Sequence, residues 1–224
     1  MSSRTVRVAF PASDALHERL DQFLREAAAS PDADQSALLN ELLDDFLNDL
    51  LAAFFDGPID AVGVQGGVAT MVQGGVKIIN KAARALVRNL VGKAGPAEQQ
   101  ALAAHFRGLT AERDGRLYLA FPLTGHDGAE LQRVFDGYLA GESGYSRDLV
   151  TVMCRLCDDA LRHYFDGLVG CVKLNAFNRG IVATARKTIQ KAAYMAVEKG
   201  LPALGRPHKE PVVRHFSGML LTPA

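Results

Sequence analysis

The sequence carries no net charge: 25 lysines and arginines balance 25 aspartates and glutamates. A neutral chain exerts no long-range attraction on nucleic acid or anionic lipid, so any such binding has to come from a local patch. Cysteine is scarce. Cys154, Cys157 and Cys171 fall within one stretch, which excludes a disulfide framework and fits a reducing compartment, hence the cytoplasm. The opening segment, MSSRTVRVAF, lacks the continuous apolar run of a secretory leader. Long hydrophobic runs are missing too. The nearest approach, residues 58–79, is interrupted by five glycines and two glutamines, so a membrane-spanning helix is not expected.

Motifs of small-molecule chemistry are equally absent. The local repeat VQGGV at 64–68 and 72–76 belongs to neither glycine signature of nucleotide sites, and Ala176, Phe177, Thr184 and Ala185 stand 110 residues beyond its glycines. Glycine there is expected to let helices approach closely; a small-molecule pocket between two units is the alternative. CRLC, at 154–157, is a C-x-x-C without a second pair. Cys171 and His163 complete four ligands only if the fold gathers them, and buried structural thiols are the expectation. The six histidines, His17, His105, His126, His163, His208 and His215, show no catalytic spacing. No catalytic residue, metal site or cofactor is expected, and the chain is not expected to be an enzyme.

What the chain does contain is an echo. RTVRVAFP at 4–11 returns as GRLYLAFP at 115–122. Aligned at an offset of 110, residues 36–91 and 146–201 share 15 identities in 56 ungapped pairs; roughly four are expected by chance at ordinary composition. FDG at 55–57 matches 165–167, and KAA at 81–83 matches 191–193. The sequence therefore predicts a first repeat unit over 1–93, a linker with one short helix over 94–114, a second unit over 115–205 and an extended tail over 206–224. Copies in one chain pack as a homodimer does, about a pseudo-twofold axis.

Each unit reads as strand, helix, helix, long helix. Val6, Val8 and Phe10 alternate with Thr5, Arg7 and Ala9, as Leu117, Leu119 and Phe121 alternate with Arg116, Tyr118 and Ala120. A first helix follows, with Leu16, Leu20, Phe23 and Leu24 at helical spacing and Ser13 or Asp14 as its cap. A second spans about 36–55, its twin about 146–165; the third segment is expected to be long and broken near the glycines. The fold class is thus mainly α, a tandem strand-helix-helix-long helix repeat with a pseudo-twofold two-stranded antiparallel ribbon.

TVRVAFP leading into LHERLDQFL and SALLNELLDDFL, and RLYLAFP leading into LQRVFDGYL and SRDLVTVMCRL, resemble the ribbon-helix-helix family of small repressors over residues 4–50 and 115–160, a little under half of the chain. The resemblance implies a transcription regulator whose ribbon enters the DNA major groove. It implies base contacts from Thr5, Arg7, Arg116 and Tyr118, and phosphate contacts from second-helix amides at Ser36 and Ser146. Asp32, Asp34 and Glu142 lie close to those phosphate positions.

Charge is segregated within the first unit. Residues 12–57 hold eleven acidic and two basic side chains, whereas 58–93 hold five basic ones and Asp60. Lys77, Lys81, Arg84 and Arg88 form a helical stripe, and Lys187 and Lys191 repeat its first half. This is either a face for an acidic partner or a solvated face neutralised by the acidic helices. The alternative to DNA is thus a non-enzymatic helical scaffold that binds a protein or lipid through its third helices. The partners implied are DNA, then a protein, a small-molecule effector or a second copy of the chain; the composition gives no reason to expect a membrane.

Overall fold

The computed structural model describes residues 5–63, 67–123 and 125–221. The side chains of 67–69, 71, 125 and 126 also lie outside the description, so the reading of the first VQGGV and of His126 rests outside the described residues. The architecture is mainly helical with one small antiparallel sheet. In chain order the elements are β1 (Arg7–Pro11), α1 (Asp14–Ala29), α2 (Ser36–Leu51), α3 (Gly57–Val62), α4 (Gly67–Asn89), α5 (Pro96–Leu109) and β2 (Thr110–Arg113). They continue with β3 (Arg116–Pro122), α6 (Gly125–Ala140), α7 (Tyr145–Ala160), α8 (Gly167–Gly170), α9 (Ala176–Met195), α10 (Leu201–Ala203), α11 (Arg206–Gly218) and β4 (Leu220–Leu221).

The two AFP runs pair with each other. β1 lies antiparallel to β3 with Ala9 opposite Ala120, Val8 opposite Phe121 and Phe10 opposite Leu119. The sheet order is β2-β3-β1-β4, so there are four strands where the sequence suggests two. β2 returns from α5 to cover one edge of the pair, and β4 returns from α11 to cover the other. The reason is the cost of open strand edges, whose backbone groups otherwise stay unpaired. Two sequence expectations are corrected here. The segment over 94–114 is a helix of 14 residues running directly into a strand, and residues 206–218 of the expected extended tail are helical. Pro207 lies in the first turn of α11, where its missing N–H costs nothing, and Val212, Val213 and Phe216 bury one face of the helix.

α1 starts as its sequence suggests: Ser13 Oγ accepts from Leu16 N at 3.2 Å, and Leu16, Leu20 and Phe23 are buried. α2 and α7 each run into a π-helical stretch, Ala52–Asp56 and Leu161–Asp166, before the glycine of FDG. Each of the two segments expected to be a long helix is broken. Gly63, at φ +60°, ends α3 before α4 begins, and α8 is only four residues long. Beneath the sheet the helices enclose an aromatic centre. Tyr164 meets Phe10, Phe46 and Phe121 edge-on with centroids 5.8, 5.5 and 5.1 Å away, and its hydroxyl donates to Leu119 O at 3.2 Å. Burial pushes the Tyr164 phenol well above its ordinary range.

Candidate functional site

The outer face of the sheet holds the residues expected to read DNA. Thr5 and Arg116 are exposed, and Arg7 and Tyr118 are half-buried. Arg7 folds back on the sheet: its Nη2 donates to Ala120 O at 3.0 Å and Gly108 O at 3.4 Å. Arg7 lies opposite Pro122, six residues along β3 from Arg116, which separates the two arginine positions by about 20 Å of strand. They are not brought together. Between them the face is closed, because Ala9 is 2% and Ala120 0% exposed.

The second-helix termini differ from one another. Ser36 N and Oγ both donate to Asp34 Oδ1, at 3.0 and 2.5 Å, so Asp34 occupies the position expected to hold a phosphate. Those bonds hold the Asp34 carboxyl below its usual range. Asp34 Oδ1 also accepts from Gln99, whose Oε1 receives Gln35 N at 2.9 Å, a buried network tying α2 to α5. Ser146 is exposed in the first turn of α7, behind Gly144 at φ +98°.

The basic stripe divides into two parts. Arg84 is neutralised, donating to Asp44 at 2.5 Å, Asn48 at 2.6 Å and Asn80 at 2.7 Å. Arg186 on α9 is similarly held by Asp166 at 2.7 Å. Lys77, Lys81, Arg88, Arg179, Lys187 and Lys191 are exposed. α4 and α9 pack against each other more extensively than any other pair of elements, and a Cβ on Gly75 would lie 3.4 Å from Ala192 O. This is the close approach expected of the glycine segment. An outer groove runs between them, lined by Ala82, Ala85 and Asn89 on one side and Phe177, Ile181 and Thr184 on the other. Phe177 is 75% exposed, and Ile78 and Ile181 are exposed as well. Sequence reading missed Phe177 and Ile181 as surface groups; their places on the lysine side of α9, away from Ile189 and Ala193, were the available signal.

Two apolar cavities of about 110 Å³ each lie deeper, the first mainly among α3, α7, α10 and α11 and the second on the inner side of α4 and α9. One is bounded by Ile59, Val62, Met153, Leu204, Val212 and Phe216. The other is bounded by Leu43, Phe46, Ile79, Leu86, Ile189 and Ala193. Phe54, Phe55 and Cys157 line both.

Three of the histidines, His105, His163 and His215, have structural partners. His215 Nε2 contacts Ala53 O at 2.7 Å and His105 Nε2 contacts His163 O at 3.1 Å, each a carbonyl of a π-helical stretch or its boundary. Their rings lie over the FDG glycines: a Cβ on Gly57 would come within 2.8 Å of His215, and one on Gly167 within 2.3 Å of His105. Both glycines have ordinary helical φ, so space rather than backbone freedom selects them. His163 stacks on Phe121 at 5.3 Å, and Cys171 Sγ contacts Gly167 O at 3.3 Å. Burial lowers the pKa of His105 and His163 and pushes the thiols of Cys154 and Cys157 up to about 11 and about 12. Such thiols are un-ionised and weakly nucleophilic. Among the described residues no three His, Cys, Asp or Glu side chains are grouped to hold a metal ion, and no helix is long and apolar enough to cross a membrane. No protein-family model matches the chain, and neither the curated proteins nor the solved structures offer a match.

Proposed function

We propose that this protein is a non-enzymatic binding protein, built as a fused pair of pseudo-twofold-related units, that docks through α4 and α9 onto an anionic lipid surface. The observation that carries the reading is the composition of that face. α4 and α9 contain eight cationic residues and no acidic one; six of the eight are exposed, Arg84 and Arg186 being paired with Asp44 and Asp166, and Phe177 and Ile181 project beside a groove between the helices. Cations along the two helices and an exposed aromatic at the start of α9 suit a headgroup layer, where charge attracts and the ring inserts. The neutral total charge hides this, because the balancing acidic residues lie on other elements, eight of the 25 on α1 and α2.

Co-sedimentation with phosphatidylcholine vesicles, with and without phosphatidylglycerol, tests the reading. Binding is expected only with the anionic lipid, weakening as salt rises from 50 to 300 mM. A Lys187→Glu, Lys191→Glu pair and a Phe177→Ser, Ile181→Ser pair should each weaken binding about tenfold without lowering thermal stability. Equal sedimentation of wild type and both variants removes the proposal.

A second reading retains DNA. It is favoured by the antiparallel register of β1 and β3 about Ala9 and Ala120, the pairing that a ribbon from two related units requires. Titration of randomised duplex DNA across a salt series, with the Arg7→Ala, Arg116→Ala variant, distinguishes it. Sequence-selective submicromolar binding lost in that variant supports regulation through the sheet; binding indifferent to both arginines excludes it.

A further inference from the structure

We propose that the two inner cavities together form one binding site for the hydrocarbon chain of a single-chain amphiphile. The cavities are neighbours, since Phe54, Phe55 and Cys157 contribute to both walls. Their linings also correspond. Leu43, Phe46, Leu47 and Val91 of one stand 110 residues before Met153, Leu156, Cys157 and Leu201 of the other. A random packing defect has no reason to recur at matched positions.

π-helical stretches shape both walls: Ala52–Asp56 contributes Phe54 and Phe55 to each cavity, Leu161–Asp166 lines the second, and a further stretch, Ala196–Gly200, lines the first. An extra residue in the turn redirects Phe54 and Phe55 in one half, Tyr164 and Phe165 in the other, and such insertions recur at functional sites. His215 and His105 contact carbonyls beside these stretches. Cys157 illustrates the enclosure: burial pushes its thiol up to about 12, yet part of its surface remains accessible, because it faces the cavities rather than packed atoms.

The chemistry of the linings selects the ligand. They are formed by aliphatic and aromatic side chains, and the Tyr164 hydroxyl beside the second cavity already donates to Leu119 O. No group there would hold a carboxylate or phosphate, so a headgroup remains outside while the chain enters. The surface helix α3 contributes half-buried Ile59 and Val62 to the first cavity, which gives the chain a route in. An apolar space of this size, about that known to hold one aromatic ring, excludes water and accepts hydrocarbon.

Isothermal titration of the full chain with hexanoate, octanoate, decanoate and dodecanoate, each below its micellar concentration, tests this site without any bilayer. Affinity is expected to rise about fourfold with each added methylene until the cavities are full, then to level off. Ala193→Phe fills the second cavity and Ala196→Phe the first. Each should weaken dodecanoate binding at least tenfold and move the plateau to shorter chains, with an unchanged or higher melting temperature. If either does not fold, Cys157→Met narrows the junction and is expected to shorten the plateau. The Phe177→Ser, Ile181→Ser variant should bind dodecanoate as wild type does, which separates this site from the outer lipid-docking face. Failure of dodecanoate to bind below 100 μM, or binding unaffected by the filling substitutions, overturns the proposal and leaves the cavities as packing voids.

Discussion

His105 and His215 show how single residues hold two helical stretches in shape. Each contacts a carbonyl at a π-helical stretch, and each ring occupies the space that Gly167 or Gly57 leaves open. The FDG repeat is visible in sequence; its explanation lies in histidines far along the chain. A signal existed, because HF at 105–106 recurs at 215–216 with the same offset of 110. His105 also predicts a pH effect. Burial lowers its folded pKa below 6.5, so the unfolded chain binds the extra proton first. Its contribution is full above about pH 6.5 and is lost as pH falls through the lower folded value. Urea unfolding between pH 7.5 and 5 is expected to show a smaller loss of stability for His105→Gln than for wild type; parallel curves would assign the acid sensitivity elsewhere.

At the scale of elements, amphipathic periodicity located most helices correctly, since α1, α2, α7 and α9 each bury a spaced apolar face. It misjudged α11 because Pro207 and Pro211 suggest extended chain, whereas Val212, Val213 and Phe216 find a core to bury against. The glycines of α4 give a paired prediction. Gly74 has no atom within 4 Å of a Cβ placed there, whereas a Cβ on Gly75 would meet Ala192 O at 3.4 Å. Gly74→Ala should therefore stabilise the protein by about 1 kcal/mol through helix propensity. Gly75→Leu should separate α4 from α9 and lower the melting temperature. Chemical denaturation of both variants checks the contrast, which reverses if Gly75 faces solvent.

For the molecule as a whole, residues 206–221 complete the structure. α11 delivers Val212, Val213 and Phe216 to the core, and β4 covers the open edge of β1. At about 1.5–3 kcal/mol for each buried side chain, their loss approaches the entire stability of a typical domain. A chain ending at Leu204 is expected to aggregate or to bind 1-anilinonaphthalene-8-sulfonate strongly, read by gel filtration and fluorescence; a compact, dye-silent product would contradict the packing described. The sequence by itself determined the mainly helical class, the alternating strands, the offset of 110 and the positions of the cations, because these depend on local periodicity and composition. Only the tertiary structure decided that Arg7 and Arg84 are engaged internally, that Asp34 occupies the Ser36 amide, that Phe177 stands in solvent, and that two cavities meet at Cys157. Partners distant in sequence set those outcomes, and no local pattern encodes which of them will meet.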